Sequence, residues 1–223
     1  VDIEPLRLMA FLHVLLFVYW LGADLGVFLC SARLTRDDLS LDERLRTREI
    51  GVALDMAPRT ALPLMIPVGF TLAVPYGGPI AGGWLAALWL FTLAWVALVW
   101  TVHHRKNEPI GARLQRIDLG IRYVLMVAMA AFGAACLVTG APIADKWLAT
   151  KITLFGVIIL NGVWLRRIGG RWQAAFDKVR AGGEARLAGE RMIKANRAVA
   201  RVAALLIWFL VAAMAFLGVV KPF

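Results

Sequence analysis

Trp84-Leu-Ala-Ala-Leu-Trp-Leu-Phe-Thr-Leu-Ala-Trp-Val-Ala-Leu-Val-Trp-Thr-Val102 runs nineteen residues without a charged side chain. As an α-helix rising 1.5 Å per residue it is about 28 Å long, the thickness of a bilayer's hydrocarbon core. Before it comes Tyr76-Gly77-Gly78-Pro79, a tight uncharged turn. After it come His103, His104, Arg105 and Lys106. One flank is neutral and the other basic, so this segment predicts both a transmembrane helix and its direction.

The pattern repeats along the chain. Candidate spans cover about Leu6–Cys30, Thr60–Pro75, Trp84–Val102, Ile117–Thr139, Trp147–Leu165 and Val202–Val220. Spans two and three join through the neutral turn above, and spans four and five through Gly140-Ala141-Pro142. The other three connections are basic. They hold Arg33, Arg36, Arg44, Arg46, Arg48 and Arg59; then Arg105, Lys106, Arg113 and Arg116; then ten cations between Arg166 and Arg201. Only Arg7, Lys146 and Lys221 fall on the opposite side, a bias of twenty to three. The positive-inside rule therefore predicts an all-α, six-helix membrane bundle with both termini outside the cytoplasm and no sizeable soluble domain. The composition agrees: 61% of 223 residues are hydrophobic, with nine Trp, eleven Phe and three Tyr, and the mean hydropathy is +0.72. A soluble domain is nearer half apolar. The first apolar stretch outruns a signal peptide and lacks a small-residue cleavage site, so it is expected to be a retained span. A multi-pass protein of a bacterial inner membrane is the expected setting.

The net charge of +10 could suggest nucleic acid, but its placement in three loops between apolar runs is that of cytoplasmic connections, and no nucleic-acid-binding motif accompanies it. No P-loop, dinucleotide fingerprint, G-x-S-x-G elbow or HExxH is present, and three histidines are too few for a membrane di-iron site. Cys30 and Cys136 are expected at opposite faces, out of reach of a disulfide, as packing residues.

The first basic loop carries a capping box, Ser40-Leu41-Asp42-Glu43, followed by Leu41, Leu45, Val52 and Met56 as one apolar stripe. A short amphipathic cytoplasmic helix is expected there, lying on the membrane surface or under the bundle and ended by Pro58. In the third loop, Gly182-Gly183 breaks the helical pattern, and from about Glu184 a helix can run unbroken into span six. Pro63 and Pro67 each remove a backbone donor from span two. They predict a kinked helix whose freed carbonyls are met by neighbours, or else a carbonyl-lined ligand site.

Polar groups within spans are costly and mark the places where chemistry is sought. They are His13, Asp24, Asp118, Arg122, Lys151 and Asn161, with Arg59 at the start of span two. His13 and Lys151 fall at similar depth toward the outer side. Asp24, Arg59, Asp118 and Arg122 fall toward the cytoplasmic side, and Asp118 and Arg122, four apart, share a helical face. A network joining Asp24 to Arg59 or Arg122 is expected, as a structural ion pair or as part of a site. His13 reads either as a hydrogen-bonded packing residue or as a metal or haem ligand. Met9 lies one turn away as a second soft donor, and Met65, Met126 and Met129 fall at middle depths, where methionine commonly fills cores. His103 and His104 lie at the opposite boundary from His13, so bis-histidine haem ligation is not expected. A haem here would be five-coordinate or completed by a weaker ligand.

His13-Val-Leu-Leu-Phe-Val-Tyr-Trp20-Leu-Gly22, an H-x6-W-x-G pattern followed by the basic turn at Arg33, resembles the first helix of a superfamily of small integral membrane proteins. That superfamily includes the membrane protoporphyrinogen oxidase and copper-resistance protein D families. Trp147-Leu-Ala-Thr-Lys151 is similar to a W-x3-K segment in a later helix of the group, and Met56-Ala-Pro-Arg-Thr-Ala-Leu-Pro63 loosely resembles its second helix. The resemblance covers about a third of the chain; Asp24, the long charged first loop and six spans instead of four depart from the oxidase pattern. It implies a tetrapyrrole or metal ligand at His13 and a conserved basic residue at Lys151.

Three functions follow as expectations. One is a haem b or porphyrin-binding redox protein, with His13, Trp20 and Lys151 at the cofactor and a quinone or porphyrin as membrane-soluble substrate. The second is copper handling or transport, with Met9, His13, Met65, Met126 and Met129 as soft ligands. The third is a cofactor-free subunit of a larger membrane complex.

Overall fold

The computed structural model describes residues 4–223, and among these the ordered structure is entirely helical. The helices are α1 (Pro5–Arg33), α2 (Leu41–Leu54), α3 (Met56–Ala73), α4 (Gly82–His104), α5 (Gly111–Thr139), α6 (Lys146–Ala181) and α7 (Gly183–Val220), with a 3-10 turn at Val74–Tyr76 after α3. Six of them, with α2 and α3 counted as one bent segment, are long and apolar enough to cross a membrane. The chain is a multi-pass α-helical membrane protein.

Its surface says so as well. Trp84, Val138 and Val219 are 79%, 86% and 83% exposed, and α1 presents Phe11, Val14, Leu15, Val18 and Leu29 outward while burying only Trp20 fully. Helices apolar on all sides are stable only where the surroundings are apolar too.

Inside, the bundle is built on α3, α5, α6 and α7. Between α5 and α6 the backbones nearly touch: a Cβ on Gly133 would lie 2.4 Å from Thr153 Oγ1, and one on Gly156 would lie 2.8 Å from the Ala130 nitrogen. Small residues allow such approach where lipid supplies no hydrophobic drive between helices. Asn161 of α6 donates to the Ala203 carbonyl of α7 at 2.8 Å, tying the next pair together. α1 packs broadly on α3 and only lightly on α7.

The α3 prolines are tolerated within one helix. Pro63 and Pro67 are among the most deeply buried side chains of the bundle, and Thr71 donates to the Pro67 carbonyl at 2.7 Å. Pro58 does not end the amphipathic helix; α2 stops at Leu54, Asp55 is the hinge, and Pro58 sits in the first turn of α3. There its missing N–H costs no helical bond. The Ser40 capping box forms as expected, Ser40 Oγ accepting from the Glu43 amide and Glu43 accepting from the Ser40 amide.

At the basic end the fold extends past the sequence-predicted spans. α6 continues sixteen residues beyond Leu165, and α7 begins nineteen residues before Val202. They form an antiparallel hairpin with a second small core of Leu34, Trp172, Ala175, Phe176, Val179 and Ile193, against which Leu41 and Leu45 of α2 pack. Arg44 locks α2 to it. Its Nη1 and Nη2 donate to Glu190 at 2.7 and 2.8 Å, its Nε donates to the Leu34 carbonyl at 2.8 Å, and its guanidinium lies 5.6 Å from the Phe176 ring centroid. α2 thus braces the hairpin as well as lying under the bundle.

Candidate functional site

The intramembrane polar residues fall into two layers. At the basic end, α5 and α6 bring Asp118, Arg122 and Arg166 together. Asp118 is fully buried and accepts from Trp95 Nε1 at 2.8 Å, from Arg122 Nε at 3.2 Å and from Arg166 Nη1 at 2.5 Å. The Arg122 guanidinium also stands 5.2 Å from the Trp95 ring centroid, and its Nη2 is buried without a partner. One carboxylate thus holds two cations and an indole, an arrangement that closes α4, α5 and α6 on one another.

Asp24 and Arg59 are not members of that cluster. Asp24 accepts from Trp20 Nε1 at 3.0 Å, one turn along α1, and Arg59 pairs with Asp55 across the start of α3. The reason is register: each has an opposite or donating group four residues away on its own helix, a shorter path than crossing the bundle. No direct ion pair joins Asp24 to Arg59 or Arg122 among the described residues, but Asp55, paired with Arg59, is within electrostatic range of both Asp24 and Arg122. Trp20 is buried and its indole N–H is committed to Asp24. Sequence reasoning missed Trp95, Asp55 and Arg166. Asp55 and Arg59 are four apart, a readable signal. Arg166 and Arg167 both read as third-loop cations, and only the helix phase separates them: Arg166 turns inward to Asp118 while Arg167 donates to the Tyr123 hydroxyl at 2.7 Å.

The second layer lies toward the opposite end. His13 Nδ1 is buried and has no hydrogen-bond partner. The imidazole faces α3, where a Cβ on Gly69 would stand 3.8 Å from Cε1. Lys151 of α6 is within electrostatic range of His13 and reaches toward α7, where a Cβ on Gly218 would lie 2.5 Å from its Nζ. Gly218 leaves the space that the ammonium fills. Among the described residues Lys151 has no ion pair or side-chain hydrogen bond. Beyond it the C-terminus is tied down: Lys221 Nζ donates to the Tyr76 hydroxyl at 2.5 Å and lies 4.2 and 5.1 Å from the Tyr76 and Trp147 ring centroids.

The expected soft ligands separate. Met9 is half-buried one turn from His13, while Met129 belongs to the main core and Met65 and Met126 pack against it. His103 and His104 stack around Trp100 at the basic end of α4, with centroids 6.2 and 5.9 Å from the indole. Cys30 and Cys136 are free thiols. No cluster of three or more His, Cys, Asp or Glu side chains suited to a metal ion occurs among the described residues.

A haem would find one axial donor here, His13, and one cation, Lys151, for a carboxylate. The partnerless Nδ1 and the partnerless ammonium fit those two demands. Two surface clefts lie elsewhere: one at the neutral turn, lined by Pro79, Trp84 and Phe91, the other at the basic end between α1 and α7. No family model, curated protein or solved structure matches the chain. The class defined by fold and polar interior is that of a six-helix polytopic membrane protein with a buried arginine–aspartate centre and a separate histidine–lysine layer.

Proposed function

We propose that the protein is a membrane-embedded redox protein of the bacterial inner membrane that binds haem b or a related porphyrin in its outer layer. The observation that carries this reading is the juxtaposition of a half-buried imidazole, whose buried Nδ1 has no partner, with a half-buried ammonium that has no counter-anion among the described residues. An unpaired lysine inside a bilayer is expensive. A porphyrin carboxylate placed against it offsets that cost, and the nearby imidazole is an axial ligand of the right kind. The loosely packed seam between α1 and α7 is the route by which a flat apolar macrocycle would reach both.

When bound, the haem supplies one-electron chemistry toward a membrane-soluble donor such as a quinol or porphyrinogen. The chain's own contribution is placement. His13 is held by α1 against Gly69, Lys151 is given its space by Gly218, and the apolar bundle keeps water from both. His13 would be the one histidine to hold the group, since His103 and His104 lie at the opposite end of the bundle.

The test is the absorption spectrum of detergent-purified protein supplied with haem, oxidised and dithionite-reduced, with H13A and K151M alongside. A Soret band is expected, lost or shifted in H13A and weakened at equal haem in K151M. A flat spectrum after haem supply refutes the reading. Copper recovered with a His13-dependent stoichiometry would assign the layer to copper handling, and neither haem nor copper would leave an accessory subunit.

A further inference from the structure

At the basic end, the last turn of α1 and the middle of α7 enclose an open cleft of about 390 Å³ lined by Ala32, Thr35, Lys194, Arg197, Ala198 and Arg201. Positions 194, 197, 198 and 201 follow the i, i+3, i+4, i+7 spacing of a single helical stripe, so three cations face one space. They are not equally free. Lys194 donates to Asp37 at 2.9 Å, which offsets its charge. Arg197 and Arg201 have no carboxylate within ion-pair distance among the described residues. Arg197 is also held in place, its guanidinium 4.2 Å from the Phe28 ring centroid, and its Nη1 is buried without a partner. The Thr35 hydroxyl is committed to the Ala32 carbonyl at 2.8 Å, so it shapes the wall and does not supply the donor.

Two arginines one turn apart, about 6 Å along the axis, with an unspent buried N–H between helix and cleft, match a phosphate better than a carboxylate peptide or a metal. What lies next to them separates a lipid phosphate from a free one. Arg197 rests on Phe28, and Phe28 packs on Trp208 with centroids 5.1 Å apart, which begins the apolar face of α7 directly below the cations. Val202 opens the charge-free run immediately after Arg201. Cations above and apolar rings below, at the level where α7 passes from basic to apolar, form the profile of a phospholipid at the interface.

We propose that this cleft is a specific site for the phosphate of an anionic phospholipid in the leaflet facing the basic loops, held by Arg197 and Arg201 with its acyl chains along Phe28 and Trp208. It is independent of the His13 layer, which lies toward the other end of the bundle.

Native mass spectrometry of the full chain released from neutral detergent tests this with phosphatidylglycerol, phosphatidylcholine or inorganic phosphate added in turn. One phosphatidylglycerol per chain is expected to survive activation that strips phosphatidylcholine, with at least tenfold weaker retention in R197Q/R201Q. A198F, which fills the cleft and keeps every charge, is expected to lose the lipid too and serves if the double variant does not fold. Equal retention of both lipids, or unchanged retention in R197Q/R201Q or in A198F, overturns the site. Displacement of phosphatidylglycerol by equimolar inorganic phosphate overturns the lipid as its occupant and assigns the cations to a free phosphate.

Discussion

Single residues decide how the arginine–aspartate centre holds together. Asp118 is fully buried and balances two guanidinium groups, one of which already has an unpartnered N–H. Removing one partner of a buried pair leaves uncompensated charge and commonly costs about 3–5 kcal/mol. D118A is therefore expected to lower the thermal midpoint in detergent strongly. D118N, which keeps an acceptor for Trp95, is expected to lie between it and the native chain. Equal midpoints for all three would mean that the centre is hydrated and contributes little. The sequence made Asp118 and Arg122 legible as a pair because four residues on a helix fix a shared face. It could not supply Arg166 or Trp95, because which residue of Arg166-Arg167 turns inward depends on the phase of α6 against α5. Hydropathy carries no such information. The same limit explains Asp24: its depth was readable, but its hydrogen bond from Trp20 on its own helix required the side-chain geometry.

At the scale of elements, the spans were readable, and so was the start of α7 beside Gly182-Gly183, but the end of α6 was not. The charges after Leu165 mark where a membrane stops, and α6 continues well past them as a helix. Trp172, Ala175, Phe176 and Val179 carry the i, i+3, i+4, i+7 signature of that continuation, so the signal was present within a stretch dominated by its cations. The capping box of α2 was fully legible because its two hydrogen bonds are local. What α2 braces was not, since Arg44 meets Glu190 across 146 positions of chain. That contact makes the extramembrane hairpin acid-sensitive. Hydrogen bonding from Arg44 holds the Glu190 carboxyl below its usual value of 4.5. A carboxylate depressed in the folded state stabilises above the unfolded value, and the contribution is lost as pH falls through the folded value. Hydrogen exchange in α2 and in the first turns of α7 is thus expected to be slow at pH 7 and to accelerate below about pH 4.5, with E190Q already fast at pH 7 and flat across that window. Parallel curves for the two proteins would remove Glu190 as the latch. Slow exchange at pH 7 in E190Q would show that the apolar contacts of Leu41 and Leu45 suffice.

For the whole molecule, direction in the membrane ties the layers to their surroundings. The twenty cations of the basic stretches, Arg166 of the Asp118 centre among them, and the α6–α7 hairpin lie at one end, and Tyr76, Trp147 and Lys221 lie at the other. Cationic loops resist translocation, so the positive-inside rule predicts that the basic end faces the cytoplasm. Single cysteines at Asn107 and at Phe223, introduced into a chain with Cys30 and Cys136 replaced by Ser, are then expected to react oppositely with a membrane-impermeant maleimide in intact cells. The Phe223 position is labelled at once, and the Asn107 position only after the membrane is opened. The outcome bears on both sites together, because it fixes which compartment each layer meets. In that orientation His13 and Lys151 lie nearer the outer compartment, within the depth that a quinol or porphyrinogen from the outer leaflet samples, and Arg197 and Arg201 meet the cytoplasmic leaflet, where anionic headgroups are met by loop cations. The reverse labelling would put the twenty cations outside against the positive-inside rule. It would also present the basic cleft to the outer leaflet, so both the direction of any electron transfer and the leaflet supplying the lipid would have to be exchanged.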